Sequence, residues 1–226
     1  EPCVYRDFDK LLRFCNQLDL YAIIIATNGF LYEKIVNVLK DRNKKILYTV
    51  QLSLDGPKEI HNKIRKSERA YEDCMNAISS FKSFKGVHVG LTTTISKVNL
   101  PYLEEIIRIA KQLNLPLVMN FVRSSDEAKT DNTNDYVPIE RNDLTIEEMK
   151  LAGRKYLQAT DYMSKTYRIL RKTMLKNYLS FIEHGQWNYP CAAGMHDAVL
   201  YPNGDISICE TLKSLWNIFD YDLDYQ

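Results

Sequence analysis

Short apolar runs and amphipathic helical segments alternate through the first half of the chain, and this alternation constrains the fold more than any other feature. The apolar runs are rich in β-branched residues and lie at 21–26, 46–54, 87–95 and 117–122. Apolar residues recur at helical spacing at 8–18, 31–39, 71–81 and 103–113. Apolar strands alternating with such helices are typical of a parallel sheet covered by helices. The sequence therefore predicts an α/β fold.

A polar segment interrupts this rhythm. Residues 123–141 have little apolar content and no periodicity, which predicts a mobile loop, with 126–134 disordered or forming a lid. Helical patterns return at 146–159 and 166–183.

The composition changes again near Trp187, where short turns and strand patterns begin. We therefore expect a large unit over residues 1–187 and a small appendage over 188–226. Inside the appendage, Cys191 and Cys209 flank a Pro-Asn-Gly-Asp sequence that is typical of a hairpin turn. Such a hairpin can bring two thiols together, which suits an iron–sulfur or zinc site, a disulfide or two free thiols.

Charge and composition exclude several classes of partner. Among 226 residues, 30 are basic and 29 acidic, so the net charge of +1 gives no reason to expect nucleic acid or an anionic membrane. No apolar run approaches the ~20 residues of a membrane span, and no signal or transit peptide is recognisable. Five cysteines, an odd number, argue against a secreted disulfide framework. We expect a cytoplasmic protein whose two ends are cuts through a longer chain.

The end of the second apolar run carries candidate functional residues. Ser53 and Asp55 are two residues apart and therefore share one face of the strand. Arg65 follows shortly after and could hold a carboxylate through two parallel hydrogen bonds. The alternative is structural, with Ser53 and Asp55 capping the next helix and Arg65 solvated. Cys15 and Cys74 lie on apolar helical faces and are expected in the core, Cys3 is expected to pack, and His196 is expected at the surface.

Several segments in order resemble the barrel of radical S-adenosylmethionine (SAM) enzymes. They are Glu1-Pro2, ATNG at 26–29, VQLSLDGPKEIHNKIR at 50–65, AYEDCMNAI at 70–78 and VGLTTTISKVNL at 89–100. The resemblance implies a partial (β/α) TIM-like barrel with about five βα units, whose active face is formed by the carboxyl ends of the strands. It also implies that SAM binds there as a cofactor.

The resemblance assigns roles to individual residues. Glu1 would meet the amino group of SAM, and Ser53 and Arg65 would lie near its carboxylate. Thr27 and Asn28 would line the same cavity.

The strand at 117–122 would reach the adenine, with Phe121 or Val122 in apolar contact. Thr93 and Asn99 are weaker candidates for this cleft.

The C-terminal segment is similar to the start of a SPASM extension. Cys191 is followed by twelve residues, Gly204, four residues and Cys209. The resemblance implies that both cysteines bind an auxiliary [4Fe–4S] cluster together with further cysteines, although none follows Cys209. The CxxxCxxC loop that holds the catalytic [4Fe–4S] cluster of the family is absent from the chain and is expected upstream of Glu1. The chain alone is therefore expected to be inactive.

The function implied by the resemblance is reductive cleavage of SAM to a 5′-deoxyadenosyl radical, which abstracts hydrogen from a peptide or protein substrate. A flavodoxin or ferredoxin is the expected reductant. Two alternatives stay open. One is another barrel enzyme, such as an aldolase or phosphate-binding lyase, although neither a Schiff-base lysine nor a glycine-rich phosphate loop is evident. The other is a non-catalytic, peptide-binding module that has lost its cluster loop.

Overall fold

A four-stranded parallel sheet forms the centre of the computed structural model, which describes residues 1–122, 144–184, 198–201, 203–208 and 214–220. The strands lie side by side in chain order as β1 (Ala22–Thr27), β2 (Leu47–Ser53), β3 (Val87–Ile95) and β4 (Leu117–Phe121). Each agrees with its predicted run to within one residue at either end. The α/β class is confirmed, and the sheet is compatible with part of a radical SAM fold. Four parallel strands lie in the described residues, where the sequence predicts about five βα units.

Seven α-helices lie in the described residues: α1 (Phe8–Cys15), α2 (Tyr32–Lys40), α3 (Lys58–Arg65), α4 (Ala70–Lys82), α5 (Leu103–Gln112), α6 (Ile146–Ala159) and α7 (Lys165–His184). The helical spacing predicts all except α3. This helix begins after Pro57, and Lys66, the residue that caps its carboxyl end, adopts the left-handed conformation. Asp7 precedes α1 at the cap position, but its side chain makes no capping bond and pairs with Lys10 at 2.8 Å. No helix within the described ranges is long and apolar enough to cross a membrane.

The two faces of the parallel sheet differ in character. One, which we call the helix face, carries buried apolar side chains; Leu52 lies there, and its Cδ2 borders the space beside Gly29 together with Ala77 of α4. Its other members include Tyr48, Val50, Leu91, Thr93 and Ile95. The other, which we call the open face, carries mostly polar or partly exposed side chains, including Thr49, Gln51, Ser53, Thr92, Thr94 and Asn120. The alternation follows from strand geometry, in which successive side chains point to opposite faces.

A small antiparallel sheet forms from β5 (Val199–Leu200), β6 (Asp205–Ser207) and β7 (Trp216–Asn217). The hairpin prediction is confirmed, because Val199 pairs with Ser207 and Gly204 adopts a φ of +89°, which glycine tolerates. The third strand, β7, has no counterpart in the sequence prediction. The predicted lid, the boundary at 187, and Cys191, His196 and Cys209 all lie outside the described residues.

Candidate functional site

The carboxyl ends of β1, β2 and β3 bring the predicted site residues to one edge of the sheet. Parallel strands in register end at the same edge, where ligand sites of open α/β sheets are found. Ser53 pairs with Thr92 in the register, and the N–H of Leu54 donates to the carbonyl of Thr92 at 2.9 Å. Segments far apart in sequence therefore meet there.

Glu1 is bound to the end of β1. The hydroxyl of Thr27 lies 2.9 and 3.0 Å from the two carboxylate oxygens of Glu1, and the N–H of Asn28 donates to Oε2 at 2.8 Å. Thr27 Oγ1 also accepts the N–H of Gly29 at 3.1 Å, which fixes the turn. Thr27 is buried, whereas Glu1 is exposed. Glu1, Thr27 and Asn28 are therefore in contact, with Glu1 as the residue open to solvent.

Ser53 lies on the open face beside Thr92. It is partly exposed, and its carbonyl accepts the thiol of Cys74 at 3.5 Å. The hydroxyl oxygen of Thr92 is buried and has no hydrogen-bond partner within the described residues. A buried polar atom without a partner costs free energy, so this position favours a polar ligand atom or water.

Asp55 contacts four residues from three other segments of the chain at this edge. Its N–H donates to Nδ1 of His61 at 3.0 Å, and its carbonyl accepts Nδ2 of Asn99 at 2.9 Å. Its carboxylate accepts the N–H of Thr94 at 3.2 Å through Oδ1 and pairs with Arg65 Nη2 at 2.6 Å through Oδ2. Asp55 is buried, while the Arg65 side chain keeps 33% of its exposure. Sequence reasoning placed Asp55 on the same strand face as Ser53, or as a cap of the next helix, and gave no role to His61.

His61 is neutral in this network. Burial lowers its pKa to about 4; the positive charge of Arg65 acts in the same direction, and Asp55 opposes both. Nδ1 accepts the Asp55 N–H, so the ring proton resides on Nε2, which is buried without a hydrogen-bond partner among the described residues. Although Nδ1 lies 3.9 Å from Asp55 Oδ2, this contact is not an ion pair, because the ring is uncharged.

Phe121 and Val122, the two residues predicted to contact the adenine, lie on different faces of the sheet. Phe121 pairs with Ile95 on the helix face, and its ring stacks on Tyr178 of α7 with centroids 5.9 Å apart. Val122 is partly exposed and continues the ladder through its N–H to the carbonyl of Ile95. The geometry favours Val122 over Phe121 for any contact at the open face. Of the weaker candidates, Thr93 faces the core and Asn99 supports Asp55.

The described cysteines are structural. Cys3 and Cys74 are fully buried, and burial raises the pKa of each thiol to about 12. The packing prediction is confirmed for both, while Cys15 is only partly buried. No group of three or more His, Cys, Asp or Glu residues in the described ranges is arranged to hold a metal ion.

Comparisons with known proteins agree with a radical SAM relationship. No protein-family model matches the chain. A curated protein, the AdoMet-dependent heme synthase of Oleidesulfovibrio alaskensis, a radical SAM enzyme, is 29% identical to the chain over 114 residues. The alignment covers 50% of this chain but only 28% of the heme synthase. The chain therefore has a distant homologue with radical SAM chemistry and spans about a quarter of that homologue's length.

Proposed function

We propose that the carboxyl edge of the parallel sheet binds SAM and that the chain is the SAM-binding part of a radical SAM enzyme. The observation that carries the proposal is that one edge of the sheet carries both the Glu1 carboxylate, bound to the end of β1, and the Arg65 guanidinium, bound to Asp55 just after β2. An amino acid moiety carries one positive and one negative group, which such a pair of opposite charges can bind. The distant radical SAM homologue supports the same conclusion.

Each residue has a distinct part in this proposal. Glu1, oriented by Thr27 and Asn28, accepts the amino group of the methionine moiety. Ser53 and Arg65 donate to its carboxylate, and a bidentate arginine–carboxylate pair is among the stronger polar contacts in proteins.

The partly exposed Val122 packs on the adenine. Phe121, which stacks on Tyr178, supports the strand from behind.

The two implied cofactors fit the described residues differently. SAM suits the edge, which offers an exposed carboxylate, a partly exposed guanidinium and the unpartnered hydroxyl of Thr92. For the catalytic [4Fe–4S] cluster, the described residues provide no ligand set. When bound, SAM and the cluster supply a 5′-deoxyadenosyl radical by reductive cleavage of SAM. The residues of this chain orient SAM and neutralise its charged end.

Two different observations favour two different substrates. We propose a peptide or protein, because the Cys191–Cys209 segment resembles a SPASM extension, and a flavodoxin or ferredoxin as reductant. The name of the homologue favours a tetrapyrrole as the second candidate. Deuterium-labelled substrates distinguish them in the natural full-length protein. Transfer of label into 5′-deoxyadenosine from a peptide supports the first candidate, and transfer only from a porphyrin supports the second.

Calorimetric titration with SAM tests the binding proposal on the full chain. We expect saturable binding with a Kd on the order of 1 µM to 1 mM. Ser53→Ala removes a donor to the carboxylate and should weaken binding roughly tenfold, which is about 1.4 kcal/mol. The matched control is Ser80→Ala, at a partly buried serine of α4, which should leave the Kd unchanged. Failure of the wild-type chain to bind SAM would refute the proposed function.

We also propose that Cys191 and Cys209 bind an auxiliary [4Fe–4S] cluster in the natural protein. The predicted hairpin between them forms, which supports their approach. After anaerobic reconstitution, the double variant Cys191→Ala/Cys209→Ala should contain about one cluster less iron and sulfide than the wild type. The control is Cys15→Ala, on α1. Equal iron content in the double variant and the wild type would mean that these cysteines are structural.

A further inference from the structure

Asp55 is bonded through every polar group that it possesses. Its main-chain N–H and carbonyl are held by His61 and Asn99, and its two carboxylate oxygens by Thr94 and Arg65. These partners come from α3, the loop after β3 and β3 itself. Neither the backbone nor the carboxylate of Asp55 can rotate without breaking one of these bonds.

This fixation is transmitted to Arg65. Asp55 forms an ion pair with Nη2 of the guanidinium. Within the described residues, Nε and Nη1 of Arg65 have no hydrogen-bond or ion-pair partner. The guanidinium is planar, so fixing one nitrogen restricts the directions of the others. A third of the Arg65 side chain remains exposed to solvent, from which a ligand can approach it.

We propose that Asp55 is a positioning residue that holds the Arg65 guanidinium at the sheet edge, ready to bind the carboxylate of the methionine moiety of SAM. The inference rests on the proposed function and adds to it a residue that does not touch the ligand. Asp55 also keeps Arg65 from extending into solvent, where binding would have to overcome side-chain entropy. The buried aspartate is thereby coupled to ligand affinity as well as to the fold.

A second aspartate–arginine pair has the same charges without this arrangement. Asp73 on α4 is also buried and pairs with Arg69 at 3.3 Å. Arg69 is 78% exposed, however, and Asp73 Oδ2 is buried without a hydrogen-bond partner in the described structure. The Asp73 pair therefore has the same charges but lacks the fixed geometry, which makes it a matched control.

The test compares two ligands that differ at the charged end. SAM carries the methionine carboxylate, whereas 5′-methylthioadenosine has the same nucleoside and no carboxylate. In titrations of the full chain, Asp55→Asn should weaken SAM binding about tenfold and leave 5′-methylthioadenosine binding unchanged, because only the carboxylate uses Arg65. Asp73→Asn makes the same chemical change at the control pair and should alter neither Kd.

A second variant keeps the inference testable if Asp55→Asn does not fold. Arg65→Lys preserves the charge but replaces the fork by a single ammonium, and it should weaken SAM binding about tenfold without affecting 5′-methylthioadenosine. Equal loss of both ligands in Asp55→Asn would show a merely structural role for Asp55, and equal loss in Arg65→Lys would show that Arg65 does not bind the carboxylate. Either result would overturn the inference. So would a SAM affinity that Asp55→Asn leaves unchanged, given a wild-type chain that binds SAM. If the wild type binds no SAM, the proposed function itself fails and the inference falls with it.

Discussion

The helix face and the carboxyl edge of the parallel sheet are built from the same strands but are stabilised in different ways. On the helix face, apolar side chains such as Val50 and Leu52 are fully buried. At the edge, a buried carboxylate, Asp55, is compensated by one cation and by hydrogen bonds from other segments. Burial of apolar surface is non-directional and tolerates small shifts, whereas a buried charge needs partners at fixed positions. The difference teaches that the helix face depends on apolar volume, whereas the edge that carries the residues proposed to bind SAM depends on exact polar pairing.

The largest effect is expected from removing apolar volume on the helix face. Leu52→Ala should lower the free energy of unfolding by about 4 kcal/mol, because the side chain is fully buried and leaves a cavity. The adjacent Gln51 lies on the open face, so Gln51→Ala should change the free energy of unfolding by less than about 0.5 kcal/mol. Urea denaturation of both variants measures the contrast. Similar losses would mean that the two faces do not differ as described.

At the edge, removing the cation that pairs with Asp55 should lower the free energy of unfolding more than neutralising Asp55 itself. Arg65→Met leaves Asp55 ionised and without its cation, which should cost about 3 kcal/mol. Asp55→Asn should cost less, because the amide oxygen can still accept the Thr94 N–H. Arg69→Met removes an arginine that is itself 78% exposed and should cost under about 1 kcal/mol. Chemical denaturation ranks the three, and a larger loss for Asp55→Asn than for Arg65→Met would contradict this account of the edge.

Acid should destabilise the edge through His61. In the unfolded chain its pKa is 6.5, and in the folded chain it is about 4. As pH falls from 6.5 toward 4, the unfolded state gains a proton that the folded state does not, so the free energy of unfolding decreases. The loss should be about 2 kcal/mol at pH 5.

His61→Asn keeps an acceptor for the Asp55 N–H but cannot titrate, so this loss should be absent from its pH profile. His88→Asn, at an exposed histidine of β3, serves as the control, and its free energy of unfolding should fall with pH as that of the wild type does. Identical profiles for wild type and His61→Asn between pH 7 and 5 would show that His61 is not the group responsible.

The smallest effect concerns a polar group on the apolar face. Thr93 is fully buried, and its hydroxyl has no hydrogen-bond partner in the described part of the chain. Thr93→Val has the same shape without the hydroxyl and should raise the free energy of unfolding by about 1 kcal/mol. The neighbouring Thr94 is exposed, so Thr94→Val should be neutral. A destabilised Thr93→Val would indicate that its hydroxyl is bonded in solution, for instance to water.

The sequence alone determined the strands, most helices and the C-terminal hairpin. Periodicity of 2 or 3.6 residues is local information, and it placed β3 at Val87–Ile95 and α6 at Ile146–Ala159 as the structure has them. The Pro-Asn-Gly-Asp turn is equally local, because glycine permits the positive φ at Gly204. The short helix α3, which has few apolar positions in eight residues, gave too weak a pattern to predict.

Only the tertiary structure decided which polar groups meet. Asp55 binds Thr94 and Asn99, 39 and 44 residues away, and Thr27 binds Glu1 across 26 residues. No local pattern encodes such distances, since they depend on the register of neighbouring strands. The assignment of Phe121 to the helix face likewise followed from its pairing with Ile95 and its stacking on Tyr178. Local periodicity thus fixed the elements, while the pairing of distant segments, which buries and compensates Asp55, decided how the proposed site is assembled.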